Sequence, residues 1–135
     1  MNVLVDTSVW SLALRRTKEN EHPATLLLKT LVNDGRAALF GPIRQEILSG
    51  VKTQEQFDSL RNDLRAFPDI VLATGDYEEA ARFFNLCRTK GIQGSNTDFL
   101  ICATASRRKM PILTTDKDLY RFAKVLPIEI HTEFD

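Results

Sequence analysis

Along this chain, short apolar runs alternate with longer segments in which apolar residues recur every three or four positions. The runs at 2–5, 37–40, 70–73 and 111–114 read as strands, and 128–131 supplies a less apolar fifth; each is bounded by nearby Gly, Pro, Asp or Asn. The spaced segments read as helices. The first covers 8–16, with Val9, Leu12 and Ala13 on one face, and the second covers 23–33, opened by Pro23 in its first turn and closed by Gly35. Both precede the second strand. A short helix follows at 42–50, then 53–67 with Phe57, Leu60 and Leu64 aligned, and 76–90 with Ala80, Phe83, Phe84 and Cys87 aligned. Segments 97–108 and 117–124 complete the set. Strands separated by helices require crossover connections, so the pattern predicts an α/β fold: a three-layer α/β/α sandwich around a central parallel sheet of four to five strands, in one domain spanning 1–135. Ligands of such sheets bind outside the carboxyl ends of the strands.

Composition supports a packed core. Of 135 residues, 43% are hydrophobic and 27% charged, far from the profile of a disordered chain. Cys87 and Cys102 lack a CxxC spacing, and Cys102 lies in the apolar run FLICATA, which predicts a reduced, buried thiol. No apolar run reaches the length of a membrane span, and Asp6 stands where a leader would need its apolar core. The expectation is a cytoplasmic protein with no membrane partner. Eighteen basic residues balance eighteen acidic ones, so bulk charge does not point to nucleic acid. Local bases do occur, as Arg15, Arg16 and Lys18 and as Arg107, Arg108 and Lys109, and both groups read as solvated helix ends favoured by the helix dipole. The tail IEIHTEFD carries three acids and no Lys or Arg.

The acids change the picture. Asp6 follows the first strand, and a helix cap explains it equally well when it is taken alone. Glu46, in PIRQEILSG, borders the buried stripe of its helix, while Arg44 and Gln45 are expected to face outward. Asp98 heads the stripe continued by Ile101, Cys102 and Ala105, where an unpaired charge is costly and needs amide donors, a base or a cation. Asp116 ends ILTTD, again directly after a strand. Jointly, two strand ends and two helix edges present acids, and one shared site explains all four. Clustered carboxylates raise each other's pKa and need a cation; oxygen donors without a neighbouring His or Cys select Mg²⁺ or Mn²⁺. His22 and His131 occur singly and read as surface or packing residues. A hard ion on carboxylates suits phosphodiester hydrolysis. The hydroxyls of Thr7, Ser8 and Thr115 have two uses, capping a helix or orienting water at the ion.

These residues resemble the PIN-domain ribonucleases, and among them the VapC-type toxins of toxin–antitoxin pairs. The resemblance covers nearly the whole chain and is carried by VLVDTSVW, IRQEILSG, TDFLICATA and ILTTDKDL in the family's order. It implies that Asp6, Glu46, Asp98 and Asp116 form the acidic quartet, that Asp6, Asp98 and Asp116 hold Mg²⁺ or Mn²⁺, and that Thr7, Thr115 and Asp118 support them. It further implies cleavage of an RNA substrate, homodimerisation and inhibition by a cognate VapB-type antitoxin, whose Arg can reach the carboxylates in bidentate fashion. With no net charge, RNA is left to local bases such as Arg15, Arg16, Arg44 or Lys117, giving salt-sensitive binding. Trp10 and Phe83–Phe84 read as packing residues rather than base-stacking platforms.

Two other readings remain open. A non-catalytic binding module would use the same groove to hold a peptide, and would be favoured by loss of an acid; none of the four is missing. An aspartate-based phosphatase or phosphotransfer protein also places Asp after its first strand, but Asp6-Thr7-Ser8 lacks the second Asp of a DxD motif.

Overall fold

The computed structural model describes residues 1–14 and 22–132. Its elements run β1 (Val3–Val5), α1 (Thr7–Leu14), α2 (Pro23–Asn33), β2 (Ala37–Ala38), α3 (Gly41–Leu48), α4 (Gln54–Leu64), α5 (Thr74–Thr89), α6 (Asn96–Arg108), β3 (Ile112–Leu113) and α7 (Lys117–Ala123). The three strands form a parallel sheet in the order β2-β1-β3, with Val3 opposite Ala37, Leu4 opposite both Ala38 and Ile112, and Val5 opposite Leu113. Successive strand side chains point to opposite faces. Val3, Leu4 and Val5 are all fully buried, so helices cover the sheet on both sides.

The sheet is narrower than the expected four to five strands. The two outer runs make single bridges only, Asp69 to Leu39 and Ile130 to Ile112. The reason is a shortage of partner backbone. Beyond Leu39 the chain turns into α3 at Gly41, so among the described residues the run bonds β2's continuation through the Ile70 amide on Leu39, and Val71 is left 85% exposed. On the other edge Ile112 donates to the Glu129 carbonyl and accepts the His131 amide.

Helix ends follow local chemistry. Pro23 fills the first turn of α2, the His22 ring nitrogen accepts from the Ala24 amide, and Gly35 leaves the helix with φ +69°. Thr53 caps α4. The stripe predicted for α1 is only partly right: Val9 and Trp10 are buried, Leu12 is half-buried and Ala13 exposed. The rest of that predicted helix, with the Arg15, Arg16 and Lys18 cluster, lies outside the described residues, as do the last two acids of the tail.

Helix α5 packs along α6, and the two are clasped by an ion cluster. Asp76 is 0% exposed and accepts from the Ala73 amide, from Arg107 Nε at 2.9 Å and from both terminal nitrogens of Arg108 at 2.8 and 2.9 Å. The guanidiniums themselves seal it from water. Arg108 above all holds this carboxyl far below the usual carboxylate range. Arg107 and Arg108 are therefore structural clamps and not the free helix-end bases expected from their position. Cys87 and Cys102 are free and buried. No helix among the described residues is long and apolar enough to cross a membrane.

Candidate active site

The ends of β1 and β3 create the centre of the site. Because Val5 lies opposite Leu113, the next residues, Asp6 and Thr114, face each other across the parallel ladder. Asp6 is 5% exposed and Thr114 3%. The Thr114 hydroxyl donates to Asp6 Oδ2 at 2.8 Å and accepts the Asp116 amide at 3.0 Å. Ser8 donates to the same Asp6 oxygen at 2.8 Å and accepts the Thr115 amide at 3.1 Å. Burial is the main force pushing the Asp6 carboxyl up from its ordinary value; the Ser8 and Thr114 hydroxyls and the Thr7 amide pull it down, and the Asp116 charge pushes it up again.

Glu46 projects from α3 toward the same end of the sheet, and the Thr7 hydroxyl donates to it at 3.2 Å. Its carboxyl is also pushed up, first by burial and then, against the Thr7 bond, by the charges of Asp6 and Asp98. Asp98 heads α6 in a capping box: Asp98 Oδ2 accepts the Ser95 amide at 3.0 Å and Ser95 Oγ accepts the Asp98 amide at 3.1 Å. Asp116 caps α7 through Oδ1, which accepts the Asp118 amide at 2.9 Å. The cap and site readings are thus compatible. In both Asp98 and Asp116 the second oxygen takes no hydrogen bond among the described residues.

A cleft of ≈ 470 Å³ is lined by Thr7, Pro42, Gln45, Glu46, Ser49 and Thr97, so that of the four acids Glu46 faces it directly. The charges of Asp6 and Asp98 act on Glu46, and that of Asp116 on Asp6, as smaller contributions beside burial. The four acids are not drawn into a cage: among the described residues no three acidic, His or Cys side chains converge at metal-holding distance. An oxygen-only donor set with unused acceptor capacity fits a hard divalent ion.

Supporting residues differ from expectation in detail. The Thr7 and Ser8 hydroxyls bond the acids instead of capping α1. Thr114, not singled out from sequence, bonds Asp6, whereas Thr115 contributes its amide. The signal was available in the register, since any residue facing Asp6 across the ladder must satisfy or repel it. Asp118 pairs with Arg121 at 2.7 Å at the surface. Arg44 does not face outward: it donates to Asp69 at 3.0 Å, to the Leu64 carbonyl at 3.0 Å and to the Phe67 carbonyl, which leaves it tied to the α4 exit. Trp10 is core, its ring N–H donating to the Val5 carbonyl at 3.1 Å and its ring in a T-shaped contact with Phe67 at 5.2 Å.

Comparison with known proteins follows the same lines. The family model for the PIN domain matches residues 3–125. No curated protein matches the sequence. Among solved structures, FitAcB from Neisseria gonorrhoeae is similar with a TM-score of 0.77 at 18% identity, covering 98% of this chain and 98% of that one. VapBC2 from Rickettsia felis, bound to a DNA fragment from its promoter, gives 0.76 at 17% identity over 97% and 98%. VapBC-5 from Mycobacterium tuberculosis, a member of the VapBC family of toxin–antitoxin systems, gives 0.69 at 18% identity over 96% of both chains. At these identities the likeness is one of fold.

Proposed function

The chain belongs to the PIN-domain family, and from that premise we propose that it is a Mg²⁺- or Mn²⁺-dependent endoribonuclease, the toxin of a VapBC-type pair, active as a homodimer in the cytoplasm. The observation that carries the reading is placement: Asp6 and Asp116 follow the parallel neighbours β1 and β3 and are joined through Thr114, Thr7 beside Asp6 bonds Glu46 of α3, and Asp98 opens α6. Such an arrangement is costly alone and favourable around a cation.

In this reading Asp6, Asp98 and Asp116 hold the ion and Glu46 completes the acidic rim. A bound divalent ion supplies Lewis acidity toward a phosphodiester and makes water a better nucleophile at neutral pH. Ser8 and Thr114 fix the Asp6 carboxylate between two hydroxyl donors, so its second oxygen keeps a defined direction. Thr7 orients Glu46. The helix caps made by Asp98 and Asp116 fix those carboxylates to rigid backbone. Asp118, committed to Arg121, has a supporting role at the rim. The structural neighbours include VapBC-5, a member of the VapBC family of toxin–antitoxin systems, which supports a cognate VapB-type antitoxin as the partner. An antitoxin Arg would meet the unused carboxylate oxygens in the place of a cation.

Induction of the protein in cells, with RNA ends mapped against an Asp98→Asn control, tests the proposal. New 5′ ends that appear only with the unmodified protein support it. Identical end profiles from both would sink it.

A further inference from the structure

We propose that the groove between α5 and α6 seats one unpaired base of the RNA whose backbone crosses the acidic cleft; this rests on the nuclease reading given above. The groove measures ≈ 450 Å³, a volume typical of small-ligand pockets, and it adjoins the cleft through Thr97, which lines both. Its other walls include Tyr77, Phe84 and Asn85 from α5 and Asn96 and Leu100 from α6. Positions 77, 84 and 85 share one helix face.

The chemistry of these walls selects a neutral heterocycle. No charged side chain lines the groove, so neither a phosphate nor an ion has a counter-charge there. The Asn85 and Asn96 carboxamides each offer donors and an acceptor, and neither makes a side-chain hydrogen bond among the described residues. They can read the edge of a base. Phe84 is already held edge-on against Phe99 at 5.5 Å and covered by Arg88 at 5.9 Å, so it forms a fixed wall. Tyr77 is 56% exposed and carries no ring contact among the described residues, which leaves its face for stacking. Unpaired bases are recognised in this way, by a stacking ring together with hydrogen bonds to the base edge. Because Thr97 joins groove and cleft, the base held here neighbours the scissile phosphate, and the enzyme acquires a base preference at one position beside its cut.

The test is a titration of the isotope-labelled, metal-free full chain at low salt with random-sequence single-stranded RNA hexamers. Nuclear magnetic resonance follows the Asn85 and Asn96 side-chain amides, assigned with Asn85→Ala and Asn96→Ala. Both amides are expected to shift, and an abasic hexamer should bind at least tenfold more weakly. Tyr77→Ala should weaken the natural pool at least tenfold and leave the abasic strand unaffected; with Mn²⁺ it should still cut, with its base preference lost at one position. Amides that stay unmoved by RNA, that move equally with abasic RNA, or that respond only to an antitoxin peptide would overturn the assignment. Failure of the nuclease reading looks different: Asp98→Asn would cut like the parent while the amide titration kept its own outcome.

Discussion

Replacing Thr114 with valine keeps its shape and removes one oxygen, and that oxygen joins two acids of the site. It donates to buried Asp6 Oδ2 at 2.8 Å and accepts the Asp116 amide at 3.0 Å. A hydrogen bond to a charged group contributes about 1.5–3 kcal/mol, and a stranded amide costs roughly another 1 kcal/mol. Ser8 still donates to Asp6, which offsets part of the loss. The expected net cost is about 2 kcal/mol at neutral pH, or a melting temperature lower by about 7 °C for a chain of this size. The cost should also depend on pH. The Thr114 bond lowers the Asp6 pKa, so its removal raises further a carboxyl already pushed up by burial. The destabilisation is therefore largest above the folded pKa of Asp6 and shrinks as pH falls through it, because a protonated carboxyl accepts the bond less strongly. If cleavage requires ionised Asp6, the acid limb of its pH profile moves to higher pH. Thermal melts across pH and a pH–rate profile measure both effects, with Thr114→Ser as the control that retains the oxygen. A destabilisation independent of pH, together with an unmoved acid limb, would refute the role assigned to this hydroxyl.

Asp76→Asn should cost about 3 kcal/mol at neutral pH, as expected for breaking a sealed ion cluster, measured by chemical denaturation. Since its folded pKa lies below the ordinary 3.8, the stability that Asp76 contributes is present above that value and lost as pH falls below it, so the variant's acid denaturation should be flatter there. Arg44→Gln should lose roughly 1–2 kcal/mol through its bonds to Asp69 and the α4 exit, with RNA affinity unchanged in a filter-binding assay. Asp6→Asn should abolish cleavage while its melting temperature holds or rises, because the amide still accepts from Ser8 and Thr114 and the buried charge is gone.

Much of this molecule was legible in local pattern because local physics decides it. Val3-Leu4-Val5 reads as a strand covered on both faces, and it is one. Pro23 and Gly35 mark the ends of α2 through fixed and left-handed backbone respectively. Asp98, heading an apolar stripe, was expected to need amide donors, a base or a cation, and the Ser95 amide is one such donor. What escaped was set by partners distant in the chain. The run at 70–73 has strand composition, but a strand exists only where a neighbour supplies backbone, and β2 ends too early to do so. Thr114 and Thr115 are alike in sequence and are separated only by the register of β3 on β1. The Asp76 clasp joins residues 31 and 32 positions apart, so Arg107 and Arg108 looked like ordinary helix-end bases. The Ser8 and Thr114 hydroxyls that hold Asp6 depend on tertiary register, which local pattern does not carry.

The proposed function requires Asp6, Glu46, Asp98 and Asp116 to act together through one hard-cation site in hydrolysing RNA. The most direct measurement is cleavage of a defined single-stranded RNA by the purified protein with Mn²⁺, with chelator, and with Asp98→Asn in the presence of Mn²⁺. Cleavage is expected in the first case alone, with all three samples equally folded by circular dichroism. Equal cleavage with chelator, or by Asp98→Asn, would contradict it.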